Sequence, residues 1–199
     1  MARRSDHTPE QLKTLMIKVG LKLIRKDGFR SFSARKVASE VGYTVGSVYH
    51  VFGSYDGLIL HINVAILDYM YEEVKSALEG ARRKEGLLAL AEAYVDFAGA
   101  HYPAWLALFE YRLDETTELP DWYQERLQAL FLLIEDQLLP YVGNDRKKAR
   151  REAKVLWAGI HGIATLGLSG KLDVVGADSM HLLVKSFIGN YILGLRAAY

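Results

Sequence analysis

Hydroxyl, imidazole and cationic side chains recur between residues 33 and 55 of this 199-residue chain, at Ser33, Arg35, Lys36, Thr44, Ser47, Tyr49, His50, Ser54 and Tyr55. Set between apolar positions, such groups suit hydrogen bonding to phosphates and base edges, and they lack the nucleophile-and-base pairing that bond breaking needs. Elsewhere the patterns of catalysis fail one by one. There is no His-Glu-x-x-His, no Glu-x-x-His and no Gly-x-Ser-x-Gly, and Thr165 stands where a phosphate loop ending at Gly170-Lys171 needs glycine. Asp178-x-x-His181 is a single acid–histidine pair with no second pair to complete a metal site. Cysteine is absent, which removes disulfides, thiolate metal sites and thiol nucleophiles together. The expectation is no catalytic set, no metal and no cofactor.

Helices must hold these side chains, because no sustained apolar/polar alternation of a strand appears. Leu12, Leu15, Met16, Val19 and Leu23 recur at steps of three and four after Thr8-Pro9, with Thr8 as N-cap and Pro9 in the first turn. That helix should stop at Gly28 in the left-handed conformation, with Phe29 folding back on the core. Two short helices follow at 33–41 and 44–52, then a long one from Ser54 to about Glu79. Further helices are expected near 86–101, 103–113, 120–141, 145–168 and 178–197, with loops at 143–145 and 169–173. The fold class is therefore all-α, with about nine helices. Half of the residues are hydrophobic and the net charge is +1, as in a folded globular protein. MARRSDHTPE lacks the apolar core of a signal peptide, and the longest uncharged run, Val155 to Gly170, is shorter than the ~20 residues of a spanning helix. A soluble, cytoplasmic protein with no membrane partner is expected.

Within 34–51, ARKVASEVGYTVGSVYHV, the residues meet the demands of a helix-turn-helix. Ala38 is the small residue where two helices cross, and Gly42 supplies the turn. Val37, Val41, Tyr43, Val48 and Val51 fill the packing positions. An ordinary helical hairpin would share the Ala-x-x-x-Gly pair, but not the five further apolar positions and the basic flanks. Residues 10–60 resemble the DNA-binding head of the TetR family of bacterial transcriptional regulators. Gly28-Phe29, Ser33, Val37-Ala38, Gly42, Gly46, Val48-Tyr49, Phe52, Ser54 and Leu58 carry the likeness. Trp157-Ala-Gly-Ile-His161-Gly162 is similar to a Trp…His-Gly signature of one class of that family's ligand-binding bodies. Two departures stand out: Val45 replaces a frequent Lys or Arg, and Tyr55 replaces a lysine that commonly touches a phosphate.

Charge follows the same division. Residues 1–60 hold ten bases and five acids, a net +5, and 61–199 are left with −4. A basic head on a neutral or acidic body fits phosphate neutralisation, which needs local charge only. If the head enters DNA as the resemblance implies, the first turns of the recognition helix present Thr44, Val45, Gly46 and Ser47. Thr44 caps the helix, Gly46 allows close approach, Ser47 reads a base edge and Val45 offers apolar contact. Tyr49 and His50 suit phosphates, as do Arg35, Ser54 and Tyr55. Ser33 caps its helix without a capping box, and Lys36 either faces phosphate or is a solvated charge. Arg3 and Arg4 would reach the minor groove.

For the body, the resemblance implies a small-molecule pocket between the long fourth helix and those that follow. The candidates are His61, Ala65, Asp68, Tyr94, Phe97, His101, Trp105, Phe109, Trp122, Phe131 and His161. Most of the aromatics among them serve equally as core, and His161 is either a core histidine or a ligand contact. The family's usual dimer interface would fall on the last two helices, where Leu183, Val184, Phe187, Ile188, Tyr191 and Leu195 form one apolar face that core packing could also use. The expected organisation is a DNA-binding domain at 1–54 and a ligand-binding and dimerisation domain at 55–199. The expected function is a regulator, most simply a repressor, that binds a pseudo-palindromic double-stranded operator as a homodimer and releases it when a small apolar or aromatic effector binds. A helical carrier or enzyme with no DNA role is the alternative, and it leaves the basic head unexplained.

Overall fold

A computed structural model describes residues 7–82, 85–113 and 118–198. Every regular element among them is helical. Thr8 accepts a hydrogen bond from the Gln11 N–H, Gln11 answers to the Thr8 N–H, and Pro9 opens α1 (Pro9–Asp27). That capping box was not expected from the sequence. The stripe that α1 buries is Leu12, Met16, Gly20 and Ile24, at steps of four, while Leu15, Val19 and Leu23 flank it half-buried. At Gly20 a Cβ would come within 2.5 Å of the Ile62 side chain, so the glycine lets α1 lie close on the fourth helix. Gly28 ends α1 at φ 74° and ψ 164°. The positive φ agrees with the sequence reading, but ψ is not that of a left-handed helix. It sends the chain instead into a 3-10 turn, Phe29–Ser31, which sets Phe29 against Phe32.

The next elements are α2 (Ala34–Val41), α3 (Val45–Phe52) and α4 (Tyr55–Gly80). α4 leaves α3 at 69°. After it come α5 (Gly86–Ala100), α6 (Tyr102–Glu110), α7 (Asp121–Leu138), a 3-10 turn at Leu139–Tyr141, α8 (Arg146–Leu168), α9 (Lys171–Val174) and α10 (Met180–Ala198). α9 is one turn wound from residues expected as loop. No single described helix is long and apolar enough to cross a membrane.

The helices pack as two units. The first comprises the chain through Asp68 together with His101 to Tyr123, and the second comprises Tyr69 to Ala100 with the chain from Gln124. In the first, Met16, Ile24, Val37, Val48, Leu58 and Ile62 are fully buried, with Trp105 of α6 beside them in the core. In the second, α8 buries Ala149, Ala153, Leu156, Ile160 and Ala164 at helical spacing, and α5 and α10 pack on it. The packing therefore does not divide at the expected 54/55 boundary. α4 begins at that point and runs on past Asp68 as one uninterrupted helix, and α6 packs on α1 and the 3-10 turn.

Candidate DNA-reading surface and effector residues

Three backbone positions set the helix-turn-helix. Ser33 Oγ accepts the Lys36 N–H at 3.3 Å and starts α2. Gly42, at φ 77° and ψ 25°, is left-handed and turns the chain, with the Tyr43 N–H on the Ala38 carbonyl at 2.9 Å. Thr44 Oγ1 then accepts the Ser47 N–H at 3.2 Å and starts α3. Ala38, Val37 and Val48 are buried at the helix crossing, while Val41, Tyr43 and Val51 are half-buried around it. The expected packing positions are thus all on the inner side of the motif.

The outward side of α3 carries Gly46, Tyr49 and His50, all exposed, with Val45 and Ser47 half-buried. A Cβ at Gly46 would meet only Thr44 Oγ1, at 3.6 Å, so this turn is open to a close approach. The Thr44 and Ser47 hydroxyls share a hydrogen bond at 3.0 Å. Arg35 is exposed, as is Ser54, whose Oγ accepts the Gly57 N–H at 2.9 Å and starts α4. The Lys36 ammonium donates to the Ser31 carbonyl at 2.7 Å and so lies back over the start of its own helix. Tyr55 turns its ring inward, 6.3 Å from Phe32 and 6.0 Å from Tyr111, and burial raises the pKa of its hydroxyl. Arg3 and Arg4 lie outside the described residues.

The effector candidates fall into two groups. In the first unit, the His61 ring lies tilted against Trp122, 4.4 Å between centroids, and sets its edge against Phe52 at the end of α3. Its Nδ1 donates to the Gly57 carbonyl at 2.7 Å. Burial lowers the pKa of His61, with that hydrogen bond opposing. Trp105 is buried and meets Phe109 edge-on at 5.3 Å. His101 stands at the N-cap of α6, Ala65 is half-buried and Asp68 is exposed. At the other end of α6, Glu110 pairs with Arg30 at 3.3 Å and the Tyr111 hydroxyl donates to Asp56. Burial and that carboxylate raise the pKa of Tyr111 far above an ordinary phenol.

In the second unit, the Tyr94 hydroxyl and His161 Nδ1 share a hydrogen bond at 2.8 Å. His161 stacks on Trp157 at 5.2 Å, and Phe131 meets Trp157 edge-on at 5.7 Å. Burial lowers the pKa of His161 too. Phe97 is buried against Tyr69. Trp157 was not among the expected lining residues, although its place one helical turn before His161 puts both on one face of α8.

The expected dimer face is partly used for packing within the chain. Val184, Ile188 and Leu195 lie inside the second unit, because the apolar face of α10 is what packs on α5 and α8. Phe187 covers Gly159 of α8, where a Cβ would come within 2.3 Å of its ring. The Tyr191 hydroxyl donates to Glu152 at 2.7 Å, and Leu183 is half-buried. What α8 and α10 leave exposed is a different pair of stripes: Val155, Ala158 and Leu166 on one, Leu182, Ser186, Gly189 and Leu193 on the other.

Comparison with known proteins gives two family matches. Residues 16–62 match the profile of bacterial regulatory proteins of the tetR family, and residues 87–187 match the tetracyclin repressor-like C-terminal domain. An uncharacterized HTH-type transcriptional regulator of Mycobacterium tuberculosis is 23% identical over 180 residues, 90% of this chain and 81% of its own length. A protein of unknown function from Rhodococcus sp. RHA1 superposes with a TM-score of 0.77 at 23% identity, over 98% of this chain and 99% of that one. The transcriptional regulator FadR of Bacillus subtilis, solved in complex with stearoyl-CoA, gives a TM-score of 0.66 at 14% identity, over 90% of this chain and 97% of its own.

Proposed function

The chain belongs to the TetR family of bacterial regulatory proteins, ligand-responsive DNA-binding regulators of transcription, and from that premise we propose a repressor released from its operator by a small apolar or aromatic molecule. The observation that carries the reading is the Thr44-capped α3, whose exposed Gly46, Tyr49 and His50 project from a head with a net charge of +5. Val45, Gly46 and Ser47 meet base edges, with Val45 on a thymine methyl. Tyr49, His50 and Arg35 meet phosphates, as do the free amides at the start of α3. Arg3 and Arg4 supply minor-groove contacts beside the site. With no arginine on α3 to grip a guanine, specificity leans on apolar contact and on DNA shape.

The operator is pseudo-palindromic and the protein binds it in the cytoplasm as a homodimer. The exposed stripes of α8 and α10 favour this arrangement, since small residues between Val155 and Leu166, and between Leu182 and Leu193, let helices approach closely across a two-fold axis. Effector contacts come from the aromatic groups around His61, Trp105 and Trp122 and around Tyr94, Trp157 and His161. The acyl chain bound by FadR is a precedent for an apolar effector. α4 runs unbroken from Tyr55 to Gly80, so a displacement along it reaches Ser54–Leu58, where α3 is carried. Moving the two recognition helices of a dimer away from a spacing of about 34 Å costs affinity on a rigid duplex.

Selection of bound duplexes from a random pool tests this. A palindrome with half-sites one helical turn apart is expected, and a pool that shows no enrichment would refute the DNA-binding role.

A further inference from the structure

Two buried side-chain oxygens among the described residues have no hydrogen-bond partner: Oδ1 of Asn63 and Oε2 of Glu135. Glu135 has a cation at hand, because its other oxygen lies 3.6 Å from Arg150, whose side chain is largely exposed and free to adjust. Asn63 has no such neighbour. It sits in the middle of α4 with 3% exposure, and Ile59, Ile66 and Leu67, one turn away on the same face, are all buried. Its Nδ2 donates to the Tyr123 hydroxyl at the start of α7. The pair is left with the acceptor Oδ1 and, as donors, the Tyr123 O–H hydrogen and the second N–H of the amide. A leucine here would suit both the helix and the core, and an amide acceptor left dry in apolar surroundings is a standing cost that folds rarely keep. Where a local rule is broken without compensation inside the fold, a functional partner is the first place to look.

We infer that Asn63 and Tyr123 form a polar anchor for a hydroxyl group of the effector. The ligand O–H donates to Asn63 Oδ1, and the same ligand oxygen accepts from the Tyr123 O–H. The inference rests on the ligand-responsive reading above and narrows it to apolar or aromatic molecules that carry an alcohol or phenol. Asn63 then determines specificity, because only a ligand that carries the O–H pairs with Oδ1 and gains that hydrogen bond.

Two measurements on the full chain decide it. In equilibrium dialysis, 2-naphthol should bind roughly ten-fold more tightly than 2-methoxynaphthalene, the difference expected for one buried hydrogen bond. In Asn63→Leu that preference should fall to about one, with affinity for the methoxy compound little changed. Equal binding of the two probes to the wild type, or a preference that survives in Asn63→Leu, overturns the anchor. Saturable uptake of neither probe overturns the anchor as a site for phenols and leaves the ligand-responsive reading standing. Thermal melting without ligand gives the second measurement. Asn63→Leu should melt at or above the wild type, with Tyr123→Phe as the control for the phenol's lost donor. A melting point several degrees lower, beyond that control, would mean that Asn63 is satisfied by a structural water and anchors no ligand.

Discussion

Thr44→Ala is the sharpest probe of the recognition helix. α3 has eight residues, too few to persist as a helix without packing and caps. Its cap is the Thr44 hydroxyl on the Ser47 N–H. Loss of such a cap costs about 1 kcal/mol, within a range of roughly 0.5–2. Here the lower half of that range applies, because the Ser47 N–H also lies 3.0 Å from the Thr44 carbonyl and the site is open to water. A cost of about 0.5–1 kcal/mol lowers the melting temperature of a chain this size by roughly 1–4 °C. If the frayed first turn must re-form on DNA, the cost enters once for each of the two recognition helices of a dimer, and operator affinity falls about five- to thirty-fold, with sequence preference unchanged. Calorimetry and fluorescence anisotropy on a selected operator measure the two numbers. Thr44→Ser keeps the acceptor oxygen and should restore both. If Thr44→Ser is as weak as Thr44→Ala, the methyl group and not the cap is what matters, and the argument fails.

Three further outcomes are expected. Val45→Ala and Ser47→Ala should change which operator bases are preferred, whereas Tyr49→Phe and His50→Ala should weaken binding to all sequences alike; binding selections on each variant separate the two patterns. Leu193→Glu should yield a monomer by light scattering that melts near the wild-type temperature, whereas Val184→Ala should cost about 2 kcal/mol of stability at an unchanged dimer constant; the reverse result would return the interface to the buried face. His161 and His61 both have folded-state pKa values below the ordinary 6.5 or so of histidine. The unfolded chain therefore binds more protons as pH falls through that value, and stability drops on the acid side and not on the alkaline side. In denaturant titrations at pH 7 and pH 5, His161→Phe should narrow the difference, and an unchanged difference would show that His161 is not held neutral by burial.

Local signals were legible in the sequence wherever one residue decides one backbone conformation. Thr8, Ser33, Thr44 and Gly42 all occupy the cap and turn positions expected of them. At Gly28 the sign of φ could be read but ψ could not, since it goes with the packing of Phe29 on Phe32 and edge-on against Tyr111, and Tyr111 is remote in sequence. The same limit governs the sites. Aromatic residues at 94–131 look alike as a string, yet Trp122 pairs with His61 while Phe131 pairs with Trp157. Helical periodicity on α10 found an apolar face and could not tell which partner buries it. The face that remains open is marked by small residues, and hydrophobicity alone passes over it. Asn63 had a signal, a single amide within an apolar run, but amides in helices are common enough that only its burial makes it informative.

The first unit is assembled from two stretches of chain that α5 and the last part of α4 separate. Anyone transplanting this reading head onto another regulator therefore moves a discontinuous module. A splice after residue 54 would carry α1 to α3 away from Tyr55, Asp56, Glu110 and Tyr111, and so leave Arg30 and Phe29 facing whatever side chains the recipient happens to present. Chimeras that bring 55–68 and the α6 segment along should retain their operator, and over evolution the same constraint would make heads and bodies of this type exchange as coupled pairs more readily than as interchangeable cassettes.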